Sequence, residues 1–101
     1  ILIPRVPSAL VTDVAAALSG GLPIETVVTG VRPGEKIHEI LVSDEEGRRT
    51  VRRGDYLAIR PMLPELTADA DAAPLDREYS SADHLLDAGS VRTALERAGL
   101  L

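Results

Sequence analysis

The sequence predicts a small, mixed α/β partial domain. Three observations lead there. Apolar residues recur at helical spacing around Val11–Leu18 and Val91–Ala98, β-branched runs lie between these stretches, and the strands are too few for a complete doubly wound sheet. The chain has 101 residues, so one small domain is expected over 1–101, with an irregular connector at 61–77 and a tail carrying a short helix at 78–101. Hydrophobic residues make up 45% of it but aromatic ones only 2%, namely Tyr56 and Tyr79, so the core must be built from Val, Ile, Leu and Ala. Aromatic rings contribute much burial per residue. Their scarcity implies a thin core, or a segment that packs against something larger, since small domains bury a modest share of their surface.

Each element has its own local cause. Ile1 to Val6 reads as an extended segment. Pro4 and Pro7 interrupt and close it, which suits an edge strand or strap because proline cannot donate to a ladder. Ser8 and Thr12 are both candidate N-caps for a helix through Leu18, with Val11, Val14, Ala15 and Leu18 on one face, and Gly20-Gly21 stop it. Pro23 to Val31 reads as a strand on Ile24, Val27, Val28 and Val31. A second helix is expected from about Pro33 to Val42, with Ile37, Ile40 and Leu41 as its buried stripe. Ser43 to Gly47 is a polar, acidic turn. Thr50-Val51-Arg52 and Tyr56-Leu57-Ala58-Ile59 form a hairpin around Arg53-Gly54-Asp55. The connector is rich in proline, alanine and acids, without periodicity. A last helix runs from about Ser90 to Ala98, with Val91, Ala94, Leu95 and Ala98 on one face and Gly99 as its cap. The start at Ile1-Leu2-Ile3, a strand already under way, suggests a piece of a longer chain or a truncated product.

Charge and composition exclude several functions. The net charge of −5 is uneven: residues 1–60 carry eight basic and eight acidic side chains, residues 61–101 three and eight. That argues against nucleic acid as a partner, because neutralising phosphates needs clustered Lys and Arg. The one basic cluster, Arg48, Arg49, Arg52 and Arg53, follows Asp44, Glu45 and Glu46 and reads as a solvated, self-compensating hairpin. No cysteine is present, which removes disulfides and Cys-based metal sites and permits a reducing compartment. No apolar run approaches the ~18 residues of a membrane span. No metal-ligand spacing is recognisable around His38 or His84. No glycine-rich dinucleotide fingerprint occurs, and neither tyrosine has a lysine four residues on: Arg60 follows Tyr56 and Asp83 follows Tyr79.

The dense segment is Gly30 to Leu41. A strand that ends there and a helix that begins over Arg32 to Glu35 would offer free N–H groups to a phosphate. Arg32 adds a planar guanidinium able to grip a diphosphate through two hydrogen bonds. Gly34 lets the backbone approach closely, and Glu35 is an acceptor suited to two ribose hydroxyls. The other reading is a plain strand-to-helix turn with a surface Arg–Glu pair worth under ~1 kcal/mol. Lys36, His38 and Glu39 read as helix-face residues. Glu35 with Glu39 would be an unfavourable like-charge pair one turn apart.

Arg32-Pro-Gly-Glu-Lys-Ile-His-Glu-Ile-Leu-Val-Ser-Asp-Glu-Glu resembles a signature of the polysaccharide-biosynthesis branch of the extended short-chain dehydrogenase/reductases, in particular its inverting UDP-N-acetylglucosamine 4,6-dehydratases. Ile3-Pro-Arg-Val-Pro-Ser-Ala, Pro23-Ile-Glu-Thr-Val, Gly54-Asp-Tyr-Leu-Ala-Ile-Arg-Pro and Glu78-Tyr-Ser-Ser resemble other parts of that family, in order. The resemblance implies the substrate-binding lobe of an extended Rossmann-type dehydratase, with no complete Rossmann fold in this chain. It implies that Arg32 contacts the UDP diphosphate and Glu35 the ribose. It further implies NADP or NAD in the cofactor-binding half, which is absent here together with the catalytic Tyr and Lys. This chain would then be inactive alone, without catalytic, cofactor or metal residues. Its expected partners are a UDP-sugar and that missing half, in the cytoplasm, with room for an oligomer and no membrane. After Tyr79-Ser80-Ser81 the family has asparagines where Asp83-His84 stand here. A non-catalytic partner-binding module, a truncated remnant and a related epimerase remain alternatives.

Overall fold

The computed structural model describes residues 1–66 and 72–101. Residues 67–71 of the expected connector lie outside the described residues. The described chain is mixed α/β, with two small sheets and three helices. It groups into two compact units: Ile1–Val6 with His38–His84, and Pro7–Ile37 with Leu85–Leu101.

The first unit is built on the expected hairpin. Strands β3 (Thr50–Arg53) and β4 (Tyr56–Ile59) pair antiparallel with Arg53 opposite Tyr56, leaving Gly54-Asp55 as a two-residue loop. Gly54 takes φ 58, the positive value that such a loop requires at its first central position and that glycine adopts without a Cβ penalty. Strand β1 (Leu2–Pro4) adds to β4 with Ile3 opposite Leu57, giving the order β1-β4-β3. β1 is an edge strand, as its prolines demand. Beyond it the ladder continues with Arg5 N–H donating to Asp55 O at 2.9 Å.

A second sheet is made by β2 (Ile40–Val42) and β5 (Tyr79–Ser80), with a register shift between Ile40 and Val42. Ser81 N–H donates to Glu39 O at 2.9 Å, and Glu39 N–H donates to Ser81 Oγ at 3.0 Å. Buried Val42, Leu57, Ile59 and Tyr79 form one core drawn from both sheets, with Ile3, Leu41 and Leu75 packed on it.

Between β2 and β3 the acidic turn winds into a single helical turn, α2 (Asp44–Gly47). Ser43 caps it: its Oγ accepts from Glu46 N–H, and Glu46 Oε2 accepts from Ser43 N–H at 3.1 Å, so two orphan donors are satisfied reciprocally. Fully buried Thr50 donates its hydroxyl to Glu46 O at 2.7 Å, which removes the cost of burying it. Beyond a 3-10 turn at Pro64–Leu66, the chain returns along β3: Leu75 N–H donates to Thr50 O at 2.7 Å and Asp76 N–H to Gly47 O at 2.9 Å.

The second unit pairs α1 (Val11–Ser19) with α3 (Ala88–Arg97). Gly20 ends α1 in the left-handed region at φ 58, as the sequence suggests. Its N-cap is Leu10, with no side-chain hydrogen bond, so neither Ser8 nor Thr12 caps it. Ser8 instead bridges Leu85 and accepts Leu86 N–H at 2.9 Å through its carbonyl. α3 starts two residues before the expected Ser90, because Asp87 accepts Ser90 N–H at 2.8 Å as N-cap. It ends in a Schellman motif: Leu100 N–H donates to Leu95 O and Gly99 N–H to Glu96 O, with Gly99 at φ 72.

Two expected elements do not form. Residues 23–31 have neither strand nor ladder partner among the described residues, so the predicted strand does not form, and Val28 is 90% exposed. A strand exists only through its neighbour's hydrogen bonds, and β propensity alone cannot supply one. The predicted helix from Pro33 to Val42 is also absent. Gly34 stands at φ 87, outside helical geometry, Ile37 is 81% exposed, and Ile40–Val42 is taken by β5.

Candidate functional site

Arg32-Pro33-Gly34-Glu35 is a tight turn, not a helix start. Glu35 N–H donates to Arg32 O at 3.1 Å, closing it, and Arg32 N–H donates to Glu35 Oε2 at 2.8 Å, bracing it from the side chain. Proline at the second position and glycine with positive φ at the third are what a type II turn requires. No helix N-terminus stands at Arg32, so no row of free helical N–H groups contributes to anion binding there. What the turn does offer is one arginine whose guanidinium has no partner among the described residues and, three residues on, one carboxylate. Both residues are exposed.

The structure brings Arg32 and Glu35 together through the backbone of a four-residue turn. One oxygen of Glu35 is engaged with Arg32 N–H. A carboxylate has about four acceptor positions, so the other oxygen remains open to hydroxyl donors. Lys36 and His38 lie exposed on the segment that follows. Glu39 is committed to Ser81 through its backbone. The expected clash between Glu35 and Glu39 disappears with the helix that would have aligned them.

The basic cluster behaves as a hairpin surface. Arg49 Nη1 donates to Arg60 O at 2.9 Å and Arg60 Nε to Arg49 O at 3.4 Å, binding the hairpin ends to each other.

Asp83 has a structural use that the sequence did not suggest. Ser80 N–H donates to its Oδ2 at 2.8 Å, and this is the largest cause holding its carboxyl below the ordinary range; partial desolvation opposes it, and Arg77, paired with Oδ1, adds to it. Glu46 and Asp87 are also lowered, chiefly by the backbone N–H groups of Ser43 and Ser90. A carboxyl whose folded pKa lies below its unfolded value stabilises the fold above the unfolded pKa, and this is lost as pH falls through the folded value. Stability is therefore expected to hold from neutrality to about pH 5 and to decline below about pH 4. Thermal melts across that range should show a shallower decline for Asp83→Asn; a decline parallel to wild type would remove Asp83 from the account.

Among the described residues no helix is long and apolar enough to cross a membrane.

Comparison with known proteins defines the class. The family described as polysaccharide biosynthesis protein matches residues 1–61, which includes β1, the Arg32–Glu35 turn and the hairpin, and the chain belongs to that family. Among curated proteins it is 38% identical over 71 residues to the UDP-N-acetylglucosamine 4,6-dehydratase (inverting) of Campylobacter jejuni subsp. jejuni serotype O:2, and 35% identical over 71 residues to the one from serotype O:23/36. Each match takes in 70% of this chain and 21% of the relative, so the chain spans about one fifth of the length of these curated relatives.

Proposed function

We propose that the chain is the substrate-side, C-terminal portion of a nucleotide-sugar 4,6-dehydratase acting in bacterial polysaccharide or glycan synthesis in the cytoplasm. In this reading it is a lobe of an extended Rossmann-type enzyme, and the reaction belongs to the whole protein. NADP or NAD, bound by the rest of the protein, would supply the hydride chemistry of such a dehydration. The residues of this chain bind and orient. Arg32 grips the diphosphate of a UDP-sugar, and Glu35 accepts hydrogen bonds from the ribose hydroxyls. The chain alone turns nothing over.

The observation that carries this reading is the Arg32–Glu35 turn. Its two hydrogen bonds hold the backbone of both residues and one Glu35 carboxylate oxygen in a defined turn before any ligand arrives, with the Arg32 guanidinium unpartnered among the described residues. Such preorganisation lowers the ordering cost of binding. The exposed, unladdered 23–31 segment fits a lobe that packs on more protein.

Calorimetry with UDP tests it. Binding to the wild-type chain is expected to weaken at least about tenfold in Arg32→Ala, because a charge-assisted, two-bond contact is lost. Glu35→Gln is expected to weaken UDP less, and to lower the preference for UDP over a 2′,3′-dideoxy analogue. UDP binding that ignores both changes would refute the assignment of these residues.

A further inference from the structure

Five side chains that carry or can acquire charge surround one concavity in the first unit. Arg5, Arg52, Arg77, Asp83 and His84 rim a cavity of about 190 Å³. Its floor is apolar and includes Leu57 and buried Tyr79. The rim is assembled from separate segments: Arg5 follows β1, Arg52 is on β3, Arg77 precedes β5, and Asp83 and His84 follow it. Three guanidiniums against one carboxylate leave two positive charges with His84 neutral.

The single carboxylate is already committed, accepting from Ser80 N–H and from Arg77. Arg52 uses Nε on Gly54 O at 3.3 Å, leaving its terminal nitrogens for another acceptor. Arg5 is half-buried, and among the described residues its side chain has no hydrogen-bond or ion-pair partner; only its backbone N–H is used, on Asp55. A guanidinium cannot shed its proton. A half-buried one therefore needs an acceptor, and three guanidiniums lining one cavity suit a phosphate-type oxyanion.

Size narrows the ligand. At ~30 Å³ per water the cavity holds about six waters, enough for one tetrahedral anion. It falls below the ~300 Å³ at which pockets for larger organic ligands begin, which suits a small anion.

The geometry points to a binding site for a phosphoryl dianion between Arg5, Arg52 and Arg77. This site lies in the unit that does not contain Arg32 and Glu35, and it does not depend on the nucleotide reading of that turn.

Titration of the full chain with inorganic phosphate, at low salt because such contacts are screened, is the test. Saturable binding is expected, weakened about tenfold by Arg5→Gln and by Arg52→Gln, since each removes a charge-assisted hydrogen bond. Arg32→Ala is expected to leave it unchanged. Arg52 is exposed on β3, so Arg52→Gln decides the matter even if Arg5→Gln disturbs the fold, with circular dichroism as the check. Methyl phosphate run alongside separates two sources of the same group: competition at similar affinity belongs to a phosphate ester, and its absence to free phosphate. No saturable binding, binding indifferent to Arg5 and Arg52, or binding lost only in Arg32→Ala would each overturn the proposal.

Discussion

Gly47→Ala is expected to destabilise the first unit by about 3 kcal/mol, the upper end of what overpacking costs. The reason is geometric. Gly47 is buried at the end of α2, and a Cβ built there would lie 2.1 Å from Arg77 O, 2.7 Å from Arg77 C and 2.9 Å from Arg77 N. All three are backbone atoms, so no rotamer change relieves the contact. The segment entering β5 would have to move away from α2, and the hydrogen bond from Asp76 N–H to Gly47 O would stretch or break. Since Tyr79 lies two residues beyond Arg77, the displacement should reach the core. Gly89→Ala is the contrasting case. It stands inside α3, where a Cβ would meet only Asp87 Oδ1 at 3.4 Å. There alanine should be neutral or gain up to about 1 kcal/mol through helix propensity. Urea unfolding of the two variants beside wild type reads the difference, and equal midpoints would refute the packing argument.

Leu57→Ala is expected to cost about 2–5 kcal/mol, the range for a large-to-small change in a packed core. Leu57 is 3% exposed at the centre of β4 and packs with Val42, Ile59 and Tyr79. With so few aromatic residues in the chain, little nearby can relax into the space. At about 4–8 °C per kcal/mol for a chain of this size, the melting temperature should fall by about 10 °C or more. Leu2→Ala, on the exposed face of β1, should move it far less. A small shift for Leu57→Ala would mean that the two sheets do not share one cooperative core.

The elements readable from sequence are those whose causes are local. The hairpin was legible because β-branched and aliphatic runs flank a Gly-Asp loop whose geometry sets their register. The ends of α1 and α3 were legible because Gly20 and Gly99 take positive φ, which other residues resist. The caps were less so. Ser8 and Thr12 have the right chemistry for α1, yet Ser8 was drawn into a bridge with Leu85. Asp87, which does cap α3, lay upstream of the expected start. Arg32 and Glu35 were expected at a helix start and stand on a tight turn instead, because Pro33 suits a first helical turn and a type II turn equally. The rim of Arg5, Arg52, Arg77 and His84 left no signal, since residues from separate segments share no spacing.

By itself, then, the sequence determined the mixed α/β class, the hairpin and the helix stops. Each follows from backbone preferences within a few neighbours. Only the tertiary structure decided which apolar stretches became strands. Ile40–Val42 looked helical and pairs with Tyr79–Ser80, whereas 23–31 looked like a strand and has no ladder among the described residues. The physical reason is that a strand's hydrogen bonds belong to another segment: propensity makes a stretch able to pair, and the presence of a partner determines whether it does.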